Sequence, residues 1–199
     1  LMARVFGEQV RDIRFFRFQP LAYRHATFNV ARSGWSKQGG FEIYVDDAGL
    51  GQALFDELME RGADLDVRVG CPNGVERVES ALLSFGNDMD ARDYPDEVGL
   101  AAFVHLDADI DSLSLAALRQ HRDRPTTRRL VGLVHPCEVE CAPFAVNGIE
   151  GSPDSEVRSQ AWSAHYGARL GIVMLEREAL GGEQLYVTLE TGTAVAAQV

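Results

Sequence analysis

The sequence predicts an α+β fold, with a part of mixed helices and strands followed by a small antiparallel all-β barrel. Three observations lead to this prediction. Apolar and polar residues alternate within the first 45 residues, apolar residues recur at helical spacing between residues 50 and 120, and only short strand-like runs follow residue 125. The charged, proline-bearing stretch at 121–125 separates these patterns and is typical of a linker. We therefore expect two domains, at 1–124 and 125–199.

The first 45 residues predict three strands, at 15–18, 27–31 and 41–45. The third of these alternates strictly. Phe41, Ile43 and Val45 share one face of the strand, and Glu42 and Tyr44 share the other. One side of this strand is therefore apolar, while the other carries a carboxylate and a phenol.

Helices are predicted where apolar residues recur every three or four positions, at 50–61, 73–85 and 114–120. Gly62 and Gly86 follow the first two of these segments, and glycine is a common residue just beyond a helix end. Beyond residue 125 the sequence predicts only strands, at 130–134, 144–146, 157–162, 170–175 and 184–189. Turn-forming residues separate these strands at short spacing, which is typical of a small barrel or sandwich.

Composition excludes several classes of function. The chain has 199 residues with 30 acidic and 19 basic side chains, so its formal net charge is −11, which disfavours nucleic acid as a partner. No apolar run approaches the roughly 20 residues that span a bilayer, so we expect no membrane association. The cysteines number three, Cys71, Cys137 and Cys141, and form no Cys-x-x-Cys pair. We expect reduced thiols, a cytoplasmic location and no metal site.

The segment ARSGWSKQGGFEIYV at 31–45 is the most informative for chemistry. Two adjacent glycines, Gly39 and Gly40, permit a sharp turn or a close approach to a ligand. Taken alone, the pair of Glu42 and Tyr44 favours an ordinary solvated strand face. Trp35 lies in the turn itself, where a large aromatic residue serves either as a binding surface or as a cover folded back over the sheet.

This segment resembles the folate-binding signature of the glycine-cleavage T-protein (aminomethyltransferase) superfamily. It is most similar to the branch of tetrahydrofolate-dependent demethylases that act on dimethylsulfoniopropionate (DMSP). The similarity continues through GCPNGVERVE at 70–79, LSFGNDMD at 83–90 and YPDEVGL at 94–100. It extends to RLVGL at 129–133, which looks like the opening of the C-terminal β-barrel domain in that superfamily. The resemblance implies that 1–124 is the C-terminal portion of a folate-binding aminomethyltransferase-like domain.

The resemblance also implies roles for individual residues. Glu42 matches the glutamate that grips the pteridine ring, and Trp35 matches an aromatic position that packs against the folate. Tyr44 shares the face of Glu42 and is expected to contact the same ligand. Lys37 is a candidate partner for an anionic group, either the glutamate tail of folate or the carboxylate of a substrate. Tetrahydrofolate is the cofactor that these residues imply.

The sequence departs from the superfamily pattern in two ways, one in a folate-binding motif and one in chain length. Pro72, Asn73 and Gly74 stand where aminomethyltransferases carry Ala-Arg-Asp, so the arginine that contacts folate there is absent, which favours the demethylase branch. Enzymes of the superfamily are roughly twice as long as this chain. We hypothesise that the sequence is part of a longer reading frame, that the active-site aspartate lies in the missing N-terminal half, and that this segment holds no catalytic residue.

The expected function is tetrahydrofolate-dependent methyl transfer from a methylated small molecule, with DMSP as the favoured donor. The 199-residue segment alone is expected to be inactive. Two alternatives remain open: a glycine-cleavage aminomethyltransferase or related O- or N-demethylase, and a non-catalytic folate-binding module. The expected partner is the small-molecule methyl donor. The oligomeric state is left open, a homo-oligomer included.

Overall fold

The computed structural model describes residues 1–34, 39–70, 74–146, 155–176 and 185–199, with the side chains of 141–146 and 185 outside that description. The chain divides into two compact units, Leu1–Asn73 and Gly74–Val199.

The first unit is built from a three-stranded antiparallel sheet and a long helix. Its elements are α1 (Met2–Phe6), β1 (Phe18–Tyr23), β2 (Ala26–Ala31), β3 (Glu42–Tyr44) and α2 (Ala48–Arg61), with 3₁₀ turns at Glu8–Asp12 and Ala63–Leu65. The strand order is β1-β2-β3, with antiparallel pairing throughout. Helix α2 begins where the Asp47 carboxylate accepts a hydrogen bond of 2.8 Å from the backbone N–H of Gly49, which satisfies a donor that the helix itself leaves unpaired.

One face of this sheet is buried in the core of the first unit, because its apolar residues alternate along the strands. Buried side chains of the two longer strands pack with α1, the first 3₁₀ turn and α2; they are Leu21, Tyr23, Phe28 and Val30 from the sheet and Phe6, Val10, Ile13, Leu50 and Leu54 from the rest. Phe41, Ile43 and Val45 pack against this core from the third strand and its flanks. Residues between these positions must therefore face away from the core.

The described residues of the second unit form two short helices and six strands. Its elements are α3 (Gly74–Glu79), α4 (Leu115–Arg122), β4 (Arg128–His135), β5 (Cys141–Val146), β6 (Glu156–Ser163), β7 (Ala168–Glu176), β8 (Leu185–Leu189) and β9 (Ala194–Ala197), with a 3₁₀ turn at Ala101–Phe103. The strands form two antiparallel sheets, ordered β4-β7-β6 and β5-β8-β9. In the part of the unit that the structure describes, the bridge between Val134 and Gln198 links them. Their shared core contains Leu133, Val173, Leu175, Val187, Leu189 and Ala197.

Arginine–carboxylate pairs fix the loops between α3 and β4. Arg77 donates to the fully buried Asp88 and, with a bond of 2.8 Å, to the hydroxyl of Ser159 on β6. Arg158, whose side chain is 3% exposed, lies 3.2 Å from Asp93. These pairs place an opposite charge beside each buried charge, which offsets part of the cost of burying it. Arg77 therefore has a structural role in this unit.

The predicted α+β class is confirmed. Beyond residue 125, the described secondary structure consists of strands, as the sequence predicts. The predicted barrel does not close in the described residues, because the strands divide into two sheets joined at one bridge. The boundary predicted between 124 and 125 stays a prediction, while the compact units divide after Asn73.

Two predicted elements have other bounds in the structure, for reasons that lie in the backbone: the strand predicted at 15–18 is displaced to Phe18–Tyr23, and the helix predicted at 73–85 is shorter. Strand β1 begins at Phe18, because Phe16 has a left-handed φ of 57° and turns the chain just before it. Helix α3 ends at Glu79 instead of continuing to 85. Ala81 has a left-handed φ of 48°, and the N–H of Leu82 donates to the carbonyl of Arg77 at 2.9 Å, which closes the helix.

Candidate functional site

Strand β3 presents Glu42 and Tyr44 on the outward face of the first unit's sheet. Its register pairs Ala31 of β2 with Glu42, and Asn29 with Tyr44. Directly opposed residues share a face, and the buried Val30 between them lies on the core side. Glu42 is exposed, and Tyr44 is 53% exposed. The structure thus places both residues together on one surface, as the alternation predicts.

Two hydroxyl groups approach the Glu42 carboxylate. The hydroxyl of Ser33 donates to Oε2 of Glu42. The phenol of Tyr44 lies 3.5 Å from the same oxygen, at the outer limit of a hydrogen bond. We call Ser33, Glu42 and Tyr44 the Glu42 cluster. Its arrangement concentrates polar groups on Oε2 and leaves Oε1 with no hydrogen bond among the described residues.

The Glu42 cluster can therefore still accept hydrogen bonds from a ligand. An ionised carboxylate has about four lone-pair sites, and it accepts two parallel N–H bonds in the same way as it binds a guanidinium group. Ser33 occupies one of these sites. A planar ligand with two adjacent N–H donors fits the remaining capacity, and the exposed ring of Tyr44 lies beside it.

The backbone around the cluster is held from two sides. The N–H of Arg32 donates to the carbonyl of Arg17 at 2.9 Å, and the N–H of Phe16 donates to the carbonyl of Arg32 at 3.0 Å. The Arg32 guanidinium donates to the carbonyl of Ile13 at 3.2 Å. Gly39, just before β3, has a φ of 78°, a conformation that favours glycine. The end of β2 is thus fixed at the point where Ser33 follows it.

Comparison with known proteins identifies the family. The model of the GCVT N-terminal domain matches residues 1–108. The chain belongs to the GCVT family. The resemblance read from the sequence motifs is confirmed.

Named relatives of this GCVT chain fall into two groups. It is 47% identical over 180 residues to the dimethylsulfoniopropionate demethylase of Ruegeria pomeroyi, covering 89% of this chain and 48% of that protein. It is 33% identical over 132 residues to an aminomethyltransferase of a Synechococcus strain, covering 66% of this chain and 36% of that protein. The chain thus spans about half the length of the demethylase and less of the aminomethyltransferase.

A solved structure supports the fold of the GCVT chain. The crystal structure of the glycine cleavage system aminomethyltransferase T from Bartonella henselae matches with a TM-score of 0.76 at 20% sequence identity. The match covers 99% of this chain and 55% of that one. At this identity the comparison concerns the fold alone, and it agrees with the α+β class.

The other predicted site residues of the GCVT chain are not described. Trp35 and Lys37 lie outside the described residues, so their roles toward folate or a substrate stay predictions. Cys71, Pro72 and Asn73, which distinguish the demethylase pattern, lie outside them as well. Glu42 and Tyr44 are therefore the predicted contacts whose surroundings the structure gives.

Ser33 is the polar residue of the site to which the sequence interpretation assigned no role. It comes two positions after Ala31, so the alternation of β2 continued by one step places it on the face of Glu42. That signal was present in the sequence. To predict the contact between Ser33 and Glu42 from that alternation, the register between β2 and β3 must also be known, because nine positions separate the two residues.

In the described residues, the other side chains that could support catalysis or metal binding either have a structural role or do not come together in one site. Ser163 is fully buried and donates a hydrogen bond of 2.6 Å to the Glu79 carboxylate, so its hydroxyl has a structural role within the second unit. His135 is buried, and desolvation followed by the nearby Arg169 charge lowers its pKa. Among the described residues, no group of three His, Cys, Asp or Glu side chains is placed to hold a metal ion. In the same residues no helix has the length and apolar character needed to cross a bilayer.

Proposed function

We propose that this chain carries one wall of the pterin site of a tetrahydrofolate-dependent methyltransferase, and that its methyl donor is DMSP. The observation that carries the proposal is the outward Glu42 carboxylate, exposed beside Tyr44 with acceptor capacity left over. The demethylase of Ruegeria pomeroyi, at 47% identity over 89% of this chain, supports DMSP as the donor. The proposal concerns the complete natural polypeptide that contains these residues.

The Glu42 carboxylate is a hydrogen-bond acceptor of the kind that a reduced pterin requires. The pyrimidinone edge of that ring presents an N–H and an amino group side by side, and a carboxylate accepts from both in parallel. Glu42 supplies that acceptor, and the Tyr44 ring supplies an apolar surface next to it. When bound, tetrahydrofolate supplies its N5 nitrogen as the methyl acceptor. The part of Glu42 is to bind and orient the ring, rather than to react.

A sulfonium donor suits a site that works by positioning. If the methyl group of DMSP passed to N5 of bound tetrahydrofolate, the nitrogen–carbon bond would form as the carbon–sulfur bond breaks, the electron pair of that bond would stay on sulfur as a neutral thioether, and the proton of N5 would leave to solvent. Such a leaving group needs no general acid. Holding the two reactants in line and excluding water can therefore supply most of the acceleration. Trp35 and Lys37 are proposed to contact the folate and an anionic group respectively.

The substitution Glu42→Gln tests the proposed wall. It preserves the shape of the side chain but removes a charged acceptor, so tetrahydrofolate binding should weaken by about 1.5–3 kcal/mol. Titration calorimetry under anaerobic conditions measures this change. Glu60→Gln, the same substitution at an exposed carboxylate of α2, is the matched control and should leave the affinity unchanged. Equal affinities of the wild type and Glu42→Gln would reject the role of Glu42.

A second candidate is an aminomethyltransferase, favoured by the 33% identity to the Synechococcus enzyme. The two candidates differ in the donor and in the group transferred. Incubating the complete polypeptide with tetrahydrofolate and either DMSP or an aminomethyl-lipoyl protein separates them by the folate product. Tight folate binding without turnover of either donor would instead favour a non-catalytic folate-binding module.

We also propose a reducing, cytoplasmic setting for this protein. Cys137 is a free thiol among the described residues, which supports that setting without requiring it. Fractionation of the source cells, followed by detection of the protein, tests the location directly.

A further inference from the structure

We propose that Ser33 is a positioning residue for ligand binding: its hydroxyl holds Oε2 of Glu42 so that the remaining lone pairs of the carboxylate face the ligand. The proposal rests on the proposed function, since it gives Ser33 a role through Glu42. It adds a specific contact to that site, and Ser33 itself need not touch the pterin.

The contact joins a fixed group to an adaptable one. Ser33 is half-buried and follows Arg32, whose N–H and carbonyl are both engaged in backbone hydrogen bonds, of 2.9 and 3.0 Å. Glu42 is exposed, with three side-chain torsions between its backbone and its carboxylate. A hydrogen bond from the Ser33 hydroxyl to Oε2 therefore restricts the orientations of the exposed carboxylate.

Tyr44 cannot supply the same restraint. Its phenol oxygen lies 3.5 Å from Oε2, a distance at which a hydrogen bond is weak, and its side chain is 53% exposed. Within the described residues, Ser33 is thus the group that makes a close hydrogen bond to the Glu42 carboxylate. Removing its hydroxyl would free the carboxylate to sample orientations that cannot accept two parallel bonds.

The hydrogen bond from Ser33 uses only part of the acceptor capacity of the Glu42 carboxylate. One hydroxyl donor occupies one of about four lone-pair sites on the carboxylate. Among the described residues no group donates to Oε1, and the Tyr44 phenol lies at the outer limit of a hydrogen bond to Oε2, so acceptor sites on both oxygens remain for a ligand with two adjacent N–H groups. Preorganisation of this kind improves affinity because the ordering of the side chain has already occurred in the free protein.

The experiment compares tetrahydrofolate affinity by anaerobic titration calorimetry across a small set of variants of the complete polypeptide. Ser33→Ala should weaken binding about fivefold, the effect expected for the loss of one hydrogen bond of ordinary strength. Ser33→Thr keeps the hydroxyl and should bind as the wild type does. Ser112→Ala, the same change at an exposed serine of the second unit, is the control and should have no effect.

A double variant separates positioning from an independent contact or a folding defect. In the Glu42→Gln background, adding Ser33→Ala should cause little further loss, because both residues act through one carboxylate. Full additivity of the two losses would overturn the proposal, and so would wild-type affinity of Ser33→Ala. Melting temperatures within about 2 °C of the wild type would exclude a folding defect as the cause.

The same series distinguishes failure of this inference from failure of the proposed function. If Glu42→Gln weakens binding while Ser33→Ala does not, the positioning role fails and the pterin wall stands. If Glu42→Gln leaves binding unchanged, the wall itself fails, and the role of Ser33 fails with it. With the complete polypeptide, Ser33→Ala should also raise KM for tetrahydrofolate and leave kcat unchanged.

Discussion

At the scale of single residues, the face on which the Glu42 side chain lies follows from the register between β2 and β3. Glu42 faces outward because it is paired with Ala31, one position from the fully buried Val30, and the alternation of a strand allows no other face. A shift of register by one residue would bury the carboxylate and expose Ile43. The site therefore depends on the core beneath it as much as on its own polar groups.

The buried Arg77–Asp88 pair gives a prediction about stability at the same scale. Asp88→Asn removes the charge that compensates a buried guanidinium, so the free energy of unfolding should fall by about 3 kcal/mol. Urea unfolding followed by far-UV circular dichroism measures the change. Asp66→Asn, at a pair with Arg68 whose two side chains are each 79% exposed, is the matched control. Its effect should stay below about 0.5 kcal/mol, and an equal effect at both positions would contradict the assignment.

At the scale of elements, the Asp96 carboxylate contacts both helix α4 and the segment just before β4. Asp96 accepts a hydrogen bond of 2.6 Å from the Thr126 hydroxyl and lies 3.0 Å from Nε2 of His121. Partial burial opposes ionisation of Asp96, but the Thr126 hydrogen bond and the His121 charge outweigh it, so its pKa lies below the ordinary value. The contacts therefore stabilise the ionised form.

This depressed pKa predicts a pH-dependent contribution to stability. A carboxyl group whose pKa is lower in the folded state stabilises the fold above its unfolded pKa, about 3.9, and loses that contribution as the pH falls through the folded value. Thr126→Val should therefore lower the melting temperature at pH 7, and the difference from the wild type should shrink below about pH 4. Differential scanning calorimetry across this range tests it. A difference that stays constant with pH would contradict the role of Asp96.

Elements were predictable from the sequence where local pattern decides them. Helix α2 and strand β2 follow their apolar spacing, and the alternation around Ile43 predicted the faces of β3. Left-handed residues were not predictable, because Phe16 and Ala81 are neither glycine nor asparagine and carry no turn signal. The contact between Ser33 and Glu42 also escaped prediction, since it depends on the pairing of two strands rather than on spacing along one.

At the scale of the whole molecule, the chain is proposed to account for part of a binding site. It spans 48% of the length of the Ruegeria pomeroyi demethylase. The Glu42 cluster is proposed to hold one edge of the pterin, and the complete polypeptide is proposed to supply the contacts to the methyl donor. Ser33, Glu42 and Tyr44 all lie within the first compact unit, Leu1–Asn73.

The most direct test of the central claim is a crystal structure of the complete polypeptide with tetrahydrofolate bound. We expect the adjacent N–H and amino groups of the pterin to lie within about 3 Å of the Glu42 carboxylate oxygens. We also expect Ser33 to donate to Oε2 in that complex. A pterin bound away from the outward face of β3, with Glu42 facing only solvent, would contradict the account.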